Sequence, residues 1–60
     1  MDTILKTEHI EIQEGICRDR VYYIIWYYEH HKMFGFNKAH DLKTALDMAI
    51  KYLEVQHGTT

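Results

Sequence analysis

The sequence predicts a small α+β fold, in which a three-stranded antiparallel meander precedes one C-terminal helix packed on a single face. Three observations support this prediction. Residues 21–28 are all β-branched or aromatic, which favours an extended strand. Shorter apolar segments lie on both sides of this strand and are separated from it by polar turn sequences. Residues 42–57 then have the apolar spacing of a helix.

The first predicted strand is Thr7 to Gln13, in which Ile10 and Ile12 alternate with polar residues. Residues 1–6 are expected to be a loose start or an early extension of this strand. Residues 14–19, with a glycine and a charged Arg-Asp pair, are typical of a hairpin connection.

The central strand, Val21 to Tyr28, has apolar side chains on both faces, because odd and even positions point to opposite sides. Such strands are typical of sheets that are covered on both faces. A chain of 60 residues can scarcely supply two covers, so we expect one face to meet a partner.

The polar segment 29–32 predicts a second tight turn, and residues 33–36 a short third strand. Asp41 is the expected N-cap of the helix, since its carboxylate can accept from amides of the first turn. The helix should run from Leu42 to about His57, and Gly58 suits the residue that ends it.

The predicted helix carries more apolar residues than packing on one sheet requires. Six positions make the expected core face: Leu42, Ala45, Leu46, Ala49, Ile50 and Leu53. Three more widen it: Met48, Tyr52 and Val55.

Strand parity predicts which residues share a face if both hairpin loops contain an even number of residues. The expected core face comprises Ile10, Ile12, Val21, Tyr23, Ile25, Tyr27, Phe34 and Phe36. The opposite face then carries Tyr22, Ile24, Trp26, Tyr28 and Met33, bordered by His9 and Glu11.

Size and composition indicate one small domain that gains from association. At this length folding buries roughly 60% of the surface of the unfolded chain, which leaves little net stability. The single cysteine, Cys17, excludes an intrachain disulfide and fits a cytoplasmic protein. The expectation of a cytoplasmic, non-membrane protein also rests on the absence of a signal-peptide pattern and of an apolar run of about 20 residues.

The five histidines, among them the adjacent His30 and His31, are the only ligand-like cluster. Their spacing does not match the paired ligands of zinc sites, so we expect no metal and no cofactor. Cys17 with a histidine could form a nucleophile pair, but such sites need an orienting third group in a pocket. We therefore expect a protein that is not an enzyme.

The aromatic residues favour a binding surface, because Tyr and Trp are enriched in protein interfaces. The expected interface residues are Tyr22, Ile24, Trp26, Tyr28 and Met33 of the sheet, with Met48, Tyr52 and Val55 of the helix. The alternative is a small nucleic-acid-binding protein that stacks bases on an aromatic sheet face. The net charge of −2 and the interleaved glutamates argue against that alternative.

Residues 35–36 and the Ala-Leu-x-x-Ala helix 41–49 give a layout that resembles the plant AP2 DNA-binding domain and its bacterial integrase relatives. The resemblance implies three strands before the helix, but the basic groove-reading residues of those domains are missing from residues 21–28. In size and architecture the chain also resembles small accessory proteins of phages and mobile elements, which often inhibit a host protein. We therefore predict a protein-interaction module, a homodimer or higher oligomer, that acts as an inhibitor or regulator of another protein.

Overall fold

The computed structural model describes residues 1–57, with the side chains of residues 1–55, and contains four strands followed by one helix. The elements are β1 (Asp2–Lys6), β2 (Ile10–Cys17), β3 (Arg20–Glu29), β4 (Lys32–Ala39) and α1 (Leu42–His57). The strands form one antiparallel sheet in the order β1-β2-β3-β4. The α+β class and the C-terminal helix are confirmed, but the predicted count of three strands is wrong. The predicted helix end at Gly58 lies outside the described residues.

The additional strand, β1, pairs with β2 around a bulge. Thr3 pairs with Gln13 and Leu5 with Ile12, so that Ile4 has no partner on β2. A bulge interrupts the alternation of side chains by which a strand is recognised in a sequence. This interruption explains why the sequence of residues 1–6 lacks the alternation that would predict a separate strand.

The β2–β3 and β3–β4 hairpins close with two-residue turns, Arg18-Asp19 and His30-His31. All four turn residues have positive φ, between 52° and 66°, as type I′ turns require at both central positions. Because these turns are tight, β2 continues to Cys17, past its expected end, and β4 begins at Lys32. Pairing with β3 extends β4 to Ala39, beyond the predicted end at residue 36. Gly15 is consequently a residue of β2 and not of the connection.

The two-residue turn between β2 and β3 preserves the predicted sorting of side chains. Ile10 lies opposite Tyr27 and Ile12 opposite Ile25, with all four beneath α1. Ile10, Ile12 and Ile25 are fully buried and form the centre of the core. At about 25 cal/mol per Å² of apolar surface, full burial of each isoleucine stabilises the fold by about 1.5–3 kcal/mol.

Phe36 was expected on the core face, and this prediction is wrong because β4 contains a second bulge. Tyr28 pairs with Met33 but Tyr27 pairs with Gly35, which leaves Phe34 as the extra residue. The parity of β4 changes at this point. Phe34 remains on the helix side, near Tyr52, whereas Phe36 lies opposite Trp26 on the other side of the sheet.

The start of α1 is fixed by Asp41, whose Oδ1 accepts a hydrogen bond from the Thr44 amide at 2.7 Å, as predicted. Ala45 and Ala49 are buried and let the helix approach the sheet closely. Tyr52 lies against Tyr27 and Phe34, with ring centroids 4.8 and 6.0 Å away.

The predicted core face of α1 is only partly correct. Ala45, Ala49 and the partly buried Leu53 pack on the core, together with Met48 and Tyr52. Three residues expected to be buried are instead exposed by 36–52%: Leu42, Leu46 and Ile50. Because Tyr52 packs beside Phe34 of β4, these three residues lie on the helix flank that is turned away from β4. Across residues 1–57, no helix is both long and apolar enough to cross a membrane.

Candidate interaction surface

The sheet face opposite α1, here called the open face, is covered by no other described element. Directly paired residues of antiparallel strands share a face, so the register assigns the side chains. The open face carries the apolar residues Tyr22, Ile24, Trp26, Tyr28, Met33 and Phe36.

Four of these residues, Tyr22, Trp26, Tyr28 and Phe36, form an aromatic row along β3 and the adjacent part of β4. The ring centroids of Trp26 and Phe36 are 5.3 Å apart with a 44° tilt, a separation favoured by aromatic pairs. Phe36 is 55% exposed and Met33 50% exposed. Ile24, between Tyr22 and Trp26, is buried at 8% exposure without belonging to the core beneath α1.

A chain of hydrogen bonds fixes the rings of this row. Trp26 Nε1 donates to Gln13 Oε1 at 2.9 Å, and Gln13 Nε2 donates to Glu11 Oε2 at 3.2 Å. Thr3 Oγ1 also donates to Glu11 Oε2, at 3.0 Å. Three strands therefore contribute to one polar network beside the aromatic row.

Tyr28 completes the network, since its hydroxyl donates to Glu11 Oε1 at 3.3 Å. Burial, and then the nearby Glu11 carboxylate, raise the pKa of the Tyr28 phenol above its ordinary value. The phenol therefore remains a neutral donor at physiological pH. Rings held in this way present a preorganised surface, which lowers the entropy lost on binding.

Tyr22 lies at the other end of the row and packs over Gly15. A Cβ placed on Gly15 would come within 2.5 Å of the Tyr22 ring, so the absence of a side chain makes room for the ring. On its other side, Lys38 Nζ lies 5.2 Å from the ring centroid, within the range of a cation–π interaction.

Charged residues are segregated between the two faces of the sheet. The charged strand residues on the open face are Lys6, Glu11, Arg20 and Lys38, whereas those on the helix side are Asp2, Glu14, Glu29 and Lys32. The open face thus has a net charge of +2, although the whole chain has a net charge of −2. Glu14, on the helix side, accepts a hydrogen bond from Tyr23 OH at 3.0 Å, and this bond raises the pKa of Tyr23.

The structure brings five of the predicted interface residues together and separates the other three from them. Tyr22, Ile24, Trp26, Tyr28 and Met33 share the open face. Met48, Tyr52 and Val55 lie on α1, on the opposite side of the sheet. Met48 and Tyr52 pack against the core, while Val55 is 63% exposed. Their role in an interface stays a prediction.

Sequence reasoning missed two parts of the exposed apolar surface. Phe36 belongs to the aromatic row, but only the bulge at Phe34 places it there. Leu42, Leu46 and Ile50 form an exposed stripe on α1. Their i, i+4 spacing was visible in the sequence, but it is equally typical of a core face.

The candidate ligand and nucleophile residues are dispersed. Within residues 1–57, no three His, Cys, Asp or Glu side chains come close enough together to hold a metal ion. The side chain of His57 lies outside the described part. Cys17 is exposed at the end of β2 and shares a cavity with His40, without a hydrogen bond between them among the described residues.

Comparison of the chain with family models, curated proteins and solved structures finds no match.

Proposed function

We propose that this chain is a small, non-enzymatic interaction module that binds another protein through the open face and thereby regulates or inhibits it. The observation that carries the proposal is the aromatic row. Phe36 is exposed and its ring lies 5.3 Å from that of Trp26, while the partly buried Trp26 and Tyr28 are held by hydrogen bonds to side chains of β2. Fixed aromatic side chains supply large contact area at low entropic cost, as interface hot spots do. The exposed Cys17 fits a reducing compartment, so a cytoplasmic location is part of the proposal.

Self-association is the second part of the proposal. The chain exposes two apolar surfaces on opposite sides of the sheet, namely the open face and the α1 stripe of Leu42, Leu46 and Ile50. A chain of this size gains stability when such surfaces are buried in an oligomer. We propose a homodimer that uses one surface for its own assembly and leaves the other for the partner protein.

Nucleic-acid binding is the second candidate, and the excess of positive charge on the open face favours it. Lys6, Arg20 and Lys38 accompany an aromatic row on which bases could stack. Glu11 argues against nucleic-acid binding, because its carboxylate lies beside the middle of the row and would repel phosphates.

The test uses immobilised protein and a lysate of the source organism, with captured proteins identified by mass spectrometry. Trp26→Ala and Phe36→Ala should each abolish capture of the specific partner. Leu46→Ala and Ile50→Ala, which truncate apolar residues on α1, are the matched controls. Retained capture by both open-face variants, with loss in the α1 variants, would contradict docking at the open face. Light scattering over a dilution series of the same four variants then reports which surface supports self-association.

A further inference from the structure

One end of the open face contains a cavity whose lining is basic. This cavity, of about 270 Å³, lies where β3 begins and β4 ends, and Arg20, Lys38 and His40 contribute to its walls. Tyr22 and Cys17 also line it, and no acidic residue does.

Two other cavities at the edges of the sheet have a different character. One, of about 340 Å³, contains Glu8 beside Lys6 and His31. The other, of about 260 Å³, contains Asp2 and Glu14 and no basic side chain. Tyr22 lines both this acidic cavity and the basic one, so its ring separates the two. Convergence of cations without a carboxylate therefore distinguishes the basic cavity from the other two.

The cations of this cavity are available to a ligand. Among the described residues, neither Arg20 nor Lys38 forms a salt bridge. Lys38 makes a cation–π contact with the Tyr22 ring. A guanidinium presents a planar set of donors that matches a carboxylate, and an ammonium beside it adds a second positive charge. The site thus has charge complementarity to a carboxylate group.

We propose that the basic cavity binds carboxylate side chains of an acidic segment in the partner protein, while the aromatic row holds the apolar residues of the same segment. This inference rests on the proposed function and adds the chemical class of the partner. It also gives the docking a direction, since the acidic part of the segment lies at the Tyr22 end of the row.

The distribution of charge favours an acidic polypeptide over a nucleic acid. Tyr22 and Tyr28 are six residues apart on β3, which corresponds to about 20 Å. A nucleic acid strand along this distance would bring several phosphates past the face, and each needs a nearby cation. At the middle of the row, beside Trp26, the open face carries the carboxylate of Glu11, which lies opposite Lys6 of β1 and is held in place by Thr3, Gln13 and Tyr28. A short group of carboxylates can bind at the basic cavity alone. A continuous polyanion that followed the aromatic row would also have to pass the carboxylate of Glu11, which would repel it.

The experiment is an NMR titration of the ¹⁵N-labelled chain with hexaglutamate as the probe. Amide shifts should concentrate at Arg20, Tyr22, Lys38 and His40. Arg20→Gln and Lys38→Gln should each weaken binding about two- to fivefold, as expected for loss of an exposed charge pair. Lys43→Gln and Lys51→Gln remove the same charges from exposed positions of α1 and should leave the affinity unchanged.

Three results would overturn the inference. If the α1 variants weakened hexaglutamate binding as much as Arg20→Gln and Lys38→Gln do, the peptide would be attracted by the overall charge of the protein and not by the basic cavity. Tighter binding of hexathymidylate than of hexaglutamate, with shifts that extend to Trp26 and Tyr28, would assign the face to single-stranded nucleic acid. Absence of shifts at the cavity, with partner capture still dependent on Trp26 and Phe36, would remove the basic site but leave the proposed function intact.

Discussion

The indole Nε1 of Trp26 donates a hydrogen bond to Oε1 of Gln13 at 2.9 Å, diagonally across the β2–β3 ladder. Trp26 itself lies opposite Glu11, and Gln13 lies opposite Ile24. The orientation of the largest ring on the open face is therefore set by a polar residue on the neighbouring strand. Through Gln13 the indole is also connected to Glu11 and to the hydroxyl of Tyr28.

Gln13→Ala removes two hydrogen bonds, one accepted from Trp26 and one donated to Glu11, and should lower the free energy of unfolding by about 1–3 kcal/mol. The effect should be smaller in a Trp26→Phe background, because the donor has already been removed. Urea unfolding of the two single variants and the double variant measures this coupling. Fully additive effects would contradict an energetic link between the two side chains.

Gly15→Ala should displace the Tyr22 ring, because the added methyl group would lie 2.5 Å from the ring in its present position. We expect altered NMR shifts for Tyr22 and Lys38 and weaker binding at the basic cavity. Gly35→Ala is the matched control, since nothing lies within 4 Å of its Cβ position. That substitution should leave binding unchanged and stabilise the fold by about 0.4–1 kcal/mol through reduced freedom of the unfolded chain. Unchanged Tyr22 shifts in Gly15→Ala would contradict the close approach.

Tyr52→Phe should stabilise the protein by up to about 1 kcal/mol. Among the described residues, the buried Tyr52 hydroxyl has no hydrogen-bond partner, and a buried unsatisfied group is costly. Tyr27→Phe is the control, because the Tyr27 hydroxyl accepts a hydrogen bond from Asn37 Nδ2 at 2.9 Å. Removal of that hydroxyl should destabilise the fold by about 0.5–1.5 kcal/mol.

The stabilisation by Tyr52→Phe should increase at alkaline pH. Burial raises the pKa of Tyr52 above the ordinary value of 10.0, so the folded state holds the phenolic proton more tightly than the unfolded state. This contribution is present below the unfolded pKa and is lost as pH rises through the folded pKa. Urea unfolding of both proteins at neutral pH and above the ordinary tyrosine pKa measures the difference. An equal difference at both pH values would contradict the raised pKa.

Asp41→Asn should make thermal stability less sensitive to acid. The hydrogen bond from the Thr44 amide lowers the pKa of the Asp41 carboxyl below 3.8. A group with a lowered folded pKa stabilises the fold above its unfolded pKa, and this contribution is lost as pH falls through the lowered value. Asparagine retains an N-cap acceptor but does not titrate.

The measurement is the melting temperature of both proteins between neutral and strongly acidic pH. The wild-type curve should fall more steeply below the ordinary carboxyl pKa. Asp47→Asn removes one carboxylate from α1 without changing the cap and serves as control. Parallel curves for wild type and Asp41→Asn would exclude a role of the cap charge.

The parts of the fold that follow from regular periodicity were predictable from sequence. The run Val21 to Tyr28 identified the central strand, and Asp41 marked the start of the helix, because both signals are local. The sorting of Ile10, Ile12 and Ile25 onto one face followed from alternation and from an even turn length. Five of the residues on the open face were identified in the same way.

The remaining parts depend on irregularities that have no clear local signal. The bulges at Ile4 and Phe34 concealed β1 and reversed the expected side of Phe36. The rotation of α1 depends on how Tyr52 packs between Tyr27 and Phe34, which is a tertiary contact. The basic cavity joins Arg20 to Lys38 and His40, which come together only once β3 and β4 have paired.

The bulge at Phe34 shifts the register of β4 by one residue, so that it sets the face on which every later residue of the strand lies. If the same residues paired without the bulge, Phe36 would lie opposite Ile25 and Lys38 opposite Tyr23, on the helix side of the sheet. The sequence would be unchanged, yet the open face would lose the exposed ring of Phe36 and the contribution of Lys38 to the basic cavity. The identity of this binding surface is thus determined by the pairing register of β4 as much as by its residues.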